Sequence, residues 1–416
     1  MRSAGIFLCV SAVLVSTVCA AGLEPIKVEE GTGKRGSHEV RITVPGRFRV
    51  VISDGAKERG APEDSGITGY YDLRNDPDGK YNYAAPWSGL FSHKIGIDPR
   101  REGKTGAIMP AAGPVELVEA NPLRAVVKHT WPARAYGVAK NPVNPDLSFE
   151  QVFVVTAPDR LYQTLTLVGT GEDVTLKHFQ FMLHTSHARW SGGTSGKGGV
   201  YSLPAPWTFA QDETPGPKSC VLHAVKPEPY THGDGKTTST HKANFLMVMH
   251  KAEGGYGYRA NRWIGFRTCL NVAGGGPVIR KGDRVARHAM LVVNHEIADL
   301  EKAKRYVEEY RNPGRPTCAK GSIVGDGFDE ATGCYTLKAA ADGVDVTLPV
   351  SCHWPMFEIA GWTGGKPPFV SAGGARKDAL AGEFIAHVSD GTLLVQLASD
   401  VPNGTRVVIP NIIRTR

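Results

Sequence analysis

Along most of the chain, apolar and polar positions alternate in short runs bounded by Gly, Pro or Asp, the period-2 pattern of half-buried strands. The run HEVRITVPGRFRVVI (His38 to Ile52) sets Val40, Ile42, Val44, Phe48 and Val50 on one face. It breaks at Pro45-Gly46, which predicts two strands joined by a tight turn. Comparable runs follow at Val115 to Val127, Phe149 to Thr156, Leu161 to Val168, Val174 to Leu183, Lys218 to Val225, Ala243 to His250, Trp263 to Asn271 and Arg284 to Val293. No helical periodicity interrupts them, so the pattern predicts an all-β fold, a large antiparallel β-sandwich. The period then changes. In IADLEKAKRYVEEYR the residues Ile297, Leu300, Lys304, Val307 and Tyr310 fall on one helical stripe that Asn312-Pro313-Gly314 ends, which predicts one connecting helix. After it, β spacing returns at Cys334 to Ala339, Val344 to Val350, Phe357 to Ile359, Phe384 to Val388, Leu393 to Leu397 and Val407 to Ile409. We read residues 21–311 as one large domain and residues 312–416 as a smaller C-terminal β-sandwich module.

Composition agrees with this picture. The 49 Gly and 28 Pro among 416 residues suit many strands and turns, and 41% hydrophobic against 21% charged residues suffices for a sizeable core. The start of the chain adds a compartment. Arg2, the apolar stretch Ile6 to Val15 and the small residues of Val18-Cys19-Ala20 form the three parts of a cleavable signal, expected to span residues 1–20 and to direct the protein to the periplasm or outside the cell. No later stretch is long and apolar enough to span a bilayer.

Loss of the signal leaves 47 basic against 41 acidic residues. This mild excess is compatible with an anionic polysaccharide as partner, and equally with simple solubility. No Lys/Arg run with interleaved aromatics points to nucleic acid, and the oligomeric state is not legible. Five cysteines remain, too few and too scattered for a stapled scaffold. A Cys318–Cys334 bridge is expected, with Cys334–Cys352 or no bridge as the alternatives.

Several clusters carry candidate chemistry. His184-Thr185-Ser186-His187-Ala188-Arg189-Trp190 closes a strand and enters the Gly-rich SGGTSGKGG; alternation puts His184 and His187 on opposite faces. Tyr256, Tyr258, Arg259 and Arg262 crowd together before Trp263, and Arg134 with Tyr136 forms a shorter group of the same type. Aromatic rings stack on sugars, and Arg pairs bidentately with carboxylate or sulfate. A packed core histidine or solvated hairpin arginines are the structural alternatives. The stretch Asp72 to Tyr83 offers oxygen ligands at alternate positions, so calcium is the one cofactor considered. The closing acid of an EF-hand is missing, however, and turn chemistry accounts for Asn-Asp-Pro-Asp-Gly. Serine-hydrolase, zincin, P-loop and dinucleotide motifs are absent. A hydrolase with two carboxylates stays open, because Glu116, Glu119, Glu150 and Asp159 lie on or near strands.

The segments VELVEANPLRAVVKHTW (Val115 to Trp131) and FEQVFVVTAPDRLYQTLTLVG (Phe149 to Gly169), followed by one helix ending in Tyr310-Arg311-Asn312-Pro313 and a C-terminal β-module, resemble secreted carbohydrate-active proteins of the galactose-mutarotase-like supersandwich class, polysaccharide lyases above all. The resemblance implies a β-supersandwich and cleavage of a uronic-acid-containing glycan by β-elimination. A glycoside hydrolase or sugar epimerase on the same fold, or a non-catalytic glycan-binding envelope protein, are the alternatives. For β-elimination His184, His187, Tyr256 and Tyr258 are candidates to move the proton. Arg189, Trp190, Arg259, Arg262, Arg134 and Tyr136 are candidates to hold the substrate.

Overall fold

The computed structural model describes residues 23–33, 36–55, 65–74, 76–79, 91–97, 107–110, 113–135, 143–184, 220–224, 230–231, 238–239, 244–250, 255–258, 265–271, 278–293 and 300–412. Strands β1 (Lys27–Thr32), β2 (His38–Val44), β3 (Phe48–Asp54) and β4 (Ser65–Asp72) form an antiparallel sheet in sequence order. The predicted pair from His38 to Ile52 is β2 and β3, and all five residues assigned to its inner face are buried.

A thirteen-stranded sheet holds β5 (Phe91–Ile97), β6 (Ala107–Pro110), β7 (Val115–Ala120), β8 (Arg124–Ala135), β9 (Val143–Thr156), β10 (Arg160–Gly169), β11 (Val174–His184), β12 (Cys220–Ala224), β15 (Asn244–Met249), β16 (Gly255–Tyr258), β17 (Gly265–Asn271), β18 (Val278–Ile279) and β19 (Arg284–Val293). Between β12 and β15, β13 (Tyr230–Thr231) and β14 (Thr238–Ser239) pair with each other. Across the sheet the order is β12-β15-β19-β10-β9-β8-β6-β5-β11-β17-β16, with β7 beside β8 and β18 beside β11. One face of this sheet packs on the four-stranded sheet: Val40, Ile42, Val50 and Ile52 meet Val127, Phe153, Val155, Leu161 and Leu291. A second apolar lobe on the large sheet gathers Trp131, Phe149, Leu165, Leu167, Val174 and Ile279. Burial of each such side chain stabilises the sandwich by roughly 1.5–3 kcal/mol.

The opposite face is covered at one end by the predicted helix, α1 (Leu300–Arg311). Tyr306 and Tyr310 bury against Val154, Tyr162, Val248, Met290 and Val292. The helix ends as expected, with Asn312 N–H donating to the Glu308 carbonyl (2.8 Å) and Gly314 at φ +63° turning the chain away.

The C-terminal module is a sandwich of two five-stranded sheets built from β20 (Thr317–Lys320), β21 (Ser322–Asp329), β22 (Cys334–Lys338), β23 (Gly343–Thr347), β24 (Met356–Ala360), β25 (Phe369–Ala372), β26 (Ala375–Asp378), β27 (Phe384–Ser389), β28 (Thr392–Leu397) and β29 (Arg406–Pro410). Its core includes Tyr335, Leu337, Val344, Val346, Phe357, Ile359, Leu393, Val395, Val407 and Ile409. Among the described residues the protein is therefore all-β with one helix, and that helix is neither long nor apolar enough to cross a membrane.

Polar contacts fix the module to the large sheet. Arg124 at the start of β8 donates to Glu119 (2.9 Å) and to Glu358 of β24 (2.5 Å), and the Gln396 amide donates to the Ala157 carbonyl.

The expected Cys318–Cys334 bridge does not form, and Cys352 is free as well. Cys318 belongs to one module sheet and Cys334 to the other, where it packs with Leu123 and Met356 beneath the large sheet. In the calcium candidate, the Asp72 carboxylate accepts from Arg74 N–H (3.1 Å), and Asp72 and Asp76 carbonyls accept from Asp76 and Gly79 N–H (2.9 and 2.8 Å). These are the bonds of a turn, and among the described residues no group of three His, Cys, Asp or Glu side chains gathers to hold a metal.

Candidate functional site

Cross-strand rows show where the covered face of the large sheet becomes polar. Val126, Val154, Tyr162, Met290 and Val248 follow one another across β8, β9, β10, β19 and β15, an apolar row beneath α1. The next row on the same face is Lys128, Val152, Thr164 and His288. It continues past β15 through His250, whose N–H donates to the His288 carbonyl (3.0 Å). Beyond it lie Thr130, Glu150, Thr166 and Ala286, then Pro132, Ser148, Val168 and Arg284. Because side chains two apart share a face, the apolar patch that seats the helix gives way to a polar, ionisable field two residues further on.

Geometry within this field is specific. Arg284 grips Glu150 with both guanidinium nitrogens (2.7 and 3.1 Å), and Lys128 Nζ lies 3.6 Å from the same carboxylate. The hydrogen bond from Arg284, aided by Lys128, holds the Glu150 carboxyl below its ordinary range, so it stays ionised. Thr164 Oγ1 and His288 Nδ1 are 2.8 Å apart. This contact fixes the orientation of the His288 ring through its Nδ1.

His250 is buried, and its ring meets Tyr310 edge-on. Its Nδ1 lies 2.9 Å from the Tyr310 carbonyl, which only accepts, so the hydrogen resides on Nδ1 and this tautomer leaves Nε2 basic. Beside it opens a cleft of about 290 Å³ lined by His250, Arg311, Pro313, Gly314, Arg315, Asp326, Phe328 and Glu330. Its walls come from the end of β15, the exit of α1 and β21 of the module.

Of the residues singled out from sequence, His184, Tyr256, Tyr258 and Arg134 lie on strands of the same sheet. His184 ends β11 opposite Gly265, the first residue of β17. Tyr256 and Tyr258 of β16 stand opposite Leu270 and Thr268, in the rows of Phe179 and Phe181, which alternate with the row of His184. His184, the last residue of β11, is thus at the same sheet end as the last residue of β16 and the first of β17. His187, Arg189, Trp190, Arg259, Arg262 and Tyr136 lie outside the described residues. Arg134 is on β8 opposite Met109 and Val143, three strands from β11.

Sequence reasoning passed over His250, His288, Lys128, Arg284 and Arg315. They are spread over β8, β19, the end of β15 and the exit of α1, and only strand pairing and the helix exit assemble them.

No protein-family model and no curated protein matches this chain. Among solved structures it is similar to a polysaccharide lyase (10% identity, covering 95% of this chain and 47% of that one, TM-score 0.28). It is also similar to the galactose 1-epimerase from Lactobacillus acidophilus NCFM (8% identity, 66% and 99% covered, TM-score 0.33), and to an alpha-mannosidase from Enterococcus faecalis V583 (7% identity, 93% and 48% covered, TM-score 0.38). The chain spans about half the length of the lyase and of the mannosidase. Likenesses this loose carry no argument about chemistry, which rests on the residues above.

Proposed function

We propose that this chain is an exported carbohydrate-active protein that cleaves a uronic-acid-containing glycan by β-elimination, with the glycan lying on the polar field of the thirteen-stranded sheet. The observation that carries this reading is the row containing His250, His288 and Thr164, which sets two histidines, each oriented through its Nδ1, on one sheet face next to a cleft of about 290 Å³. The tripartite signal in residues 1–20 supports export.

β-Elimination requires a base to take the proton from C5, neutralisation of the carboxylate so that negative charge is stabilised as that proton leaves, and an acid to protonate the departing O4. The C5–H electrons become the C4–C5 double bond as the C4–O4 bond breaks, so no cofactor or co-reactant is needed. In this reading His288 is the base, oriented by Thr164. His184, Tyr256, Tyr258 and Arg134, on other strands of the same sheet, stay candidates to contact the glycan, as do His187, Arg189, Trp190, Arg259, Arg262 and Tyr136, which lie outside the described residues.

The test is incubation of the secreted protein with a panel of uronans and neutral glycans, following ultraviolet absorbance of the unsaturated product and new reducing ends in parallel. The expected result is absorbance and reducing ends rising together on a uronan, with His288→Ala slowing turnover by about 10² or more while the fold is retained. Reducing ends without absorbance would replace this reading with a hydrolase, and neither signal with a binding protein.

A further inference from the structure

The cleft at the exit of α1 lies where the end of β15, the exit of α1 and β21 of the module meet. Its floor is set by a chain of hydrogen bonds: His250 Nδ1–H to the Tyr310 carbonyl (2.9 Å), and Tyr310 Oη–H to the Glu330 carbonyl (2.9 Å). The last turn of α1, the end of β15 and the end of β21 are thereby held at fixed separations. Gly314 shapes the wall between Arg311 and Arg315. It sits at φ +63°, and a Cβ there would come within 2.8 Å of Pro349, so a residue with a side chain is excluded on two counts.

Charge in the cleft is mixed. Arg311 and Arg315 lie on the helix side, Asp326 and Glu330 on the module side, and Phe328 stands between the two acids in sequence. Among the described residues no ion pair within 4 Å joins Arg315 to Asp326 or to Glu330, although all three line one small space. Arg315 set apart from Asp326 and Glu330 around one cavity suits a ligand that offers both an anion and hydroxyl donors. A carboxylate is the natural bidentate partner of a guanidinium, ring hydroxyls donate to Asp326 and Glu330, and an apolar sugar face suits Phe328. The volume is at the small end of ligand pockets, which matches one sugar unit rather than an oligosaccharide.

We infer that this cleft is a subsite for a single hexuronic acid residue, its carboxylate held by Arg311 and Arg315 and its hydroxyls by Asp326 and Glu330. The inference deepens the glycan reading above and rests on it for the polymer. It adds that the C-terminal module supplies one wall of the binding surface and so determines specificity.

Calorimetric titration of the full secreted chain with glucuronate, galacturonate, glucose and glucosamine tests it. These monosaccharides have no glycosidic bond to cleave, so the outcome is independent of whether the protein is a lyase. The expected result is that a uronate binds, more weakly as salt is raised, and that glucose and glucosamine bind at least about tenfold less tightly. Arg315→Ala should lose at least about tenfold in uronate affinity, and Asp326→Asn should weaken it without reversing the preference over glucose. Equal binding of glucose, preference for glucosamine, unchanged affinity in both Arg315→Ala and Arg311→Ala, or no uronate binding at millimolar concentration would each overturn the assignment. If uronate binds as expected while no uronan is cleaved, the lyase reading fails and the subsite stands.

Discussion

Arg160 on β10 and Glu309 on α1 form a buried two-pronged ion pair, Nη1 to Oε1 at 3.0 Å and Nη2 to Oε2 at 2.9 Å, between residues 149 positions apart. The pair also holds the module: Glu309 accepts from the His353 N–H (2.9 Å) and Arg160 donates to the Tyr162 hydroxyl (3.3 Å) and the His353 carbonyl (2.5 Å). Large sheet, helix and module therefore meet at one desolvated charge pair. Removing one partner leaves the other charged and buried, which costs about 3–5 kcal/mol, whereas replacing both with apolar residues is far cheaper. Arg160→Met and Glu309→Leu are each expected to destabilise by that amount in chemical denaturation, and the double variant by much less than their sum. Additive losses would show that the two groups act separately.

Gly333 and Tyr162 make a second, purely steric junction. Gly333, in the turn between β21 and β22, has φ +70°, and a Cβ there would fall 2.0 Å from the Tyr162 ring. Tyr162 is buried in the sheet and cannot retreat without disturbing α1, with Tyr310 packed 5.7 Å away. Gly333→Ala should cost at least about 2 kcal/mol from strain and overpacking together, seen as a lowered Tm. By contrast Gly374→Ala, where a Cβ meets nothing within 4 Å, should cost only the strain of its φ of +83°.

These junctions explain why much of the architecture was legible in the sequence and the candidate site was not. Strand identity is local: the alternation through Val40, Ile42 and Val44 records burial on one sheet face, and the stop at Asn312-Pro313-Gly314 records a helix end. Strands of four residues such as β6 and β16 carry too few alternations to announce themselves. The helix stripe drawn through Val307 and Tyr310 omitted Tyr306 and Glu309, which are both buried. An acid is read as solvent-facing until its partner, here Arg160, is known. His250 and His288 are joined by strand pairing alone, and no spacing rule connects them. The cysteine pairing failed for the same reason, since loop length says nothing about which sheet each end enters.

Those cysteines give a chemical prediction. Burial pushes both the Cys334 and the Cys352 thiols up to about 12, and Cys352 Sγ lies 3.2 Å from the Tyr335 hydroxyl. Neither forms thiolate near neutral pH, and neither is open to reagent. Cys318 is partly exposed, and its thiol is raised by desolvation and by Asp345. In the native protein at pH 8, Cys318 should alkylate slowly while Cys334 and Cys352 stay protected until denaturant is added. Peptide mapping after timed iodoacetamide treatment measures the order, and early labelling of Cys334 would contradict the packing of the module on Leu123.

His129 supplies the acid sensitivity of the fold. It lies on β8, fully enclosed, its ring 4.4 Å from that of Trp131 at a tilt of 46°, with Gln151 opposite it in the ladder. Burial pushes its imidazole down to about 3 from 6.5, with a smaller opposing effect of the nearby Gly113 backbone. The native state therefore keeps His129 neutral where the unfolded chain protonates it. Proton uptake by the unfolded chain begins near pH 6.5, so this group's contribution to stability is complete above that pH. It declines as pH falls toward 3, by about 1.4 kcal/mol per unit once well below 6.5. Buried carboxylates such as Asp159 act with the same sign but lower on the scale. Although burial opposes it, nearby His353, Arg74 and Arg160 hold Asp159 below its ordinary value of 3.8. The interval from pH 6 to pH 4.5 thus isolates the histidine. His129→Gln, which cannot titrate, should show a stability profile flatter than that of the native chain by about 1.4 kcal/mol per pH unit across that interval, measured by chemical denaturation at each pH. Parallel profiles would mean that the imidazole is protonated inside the sandwich and that an anionic partner or water reaches it there.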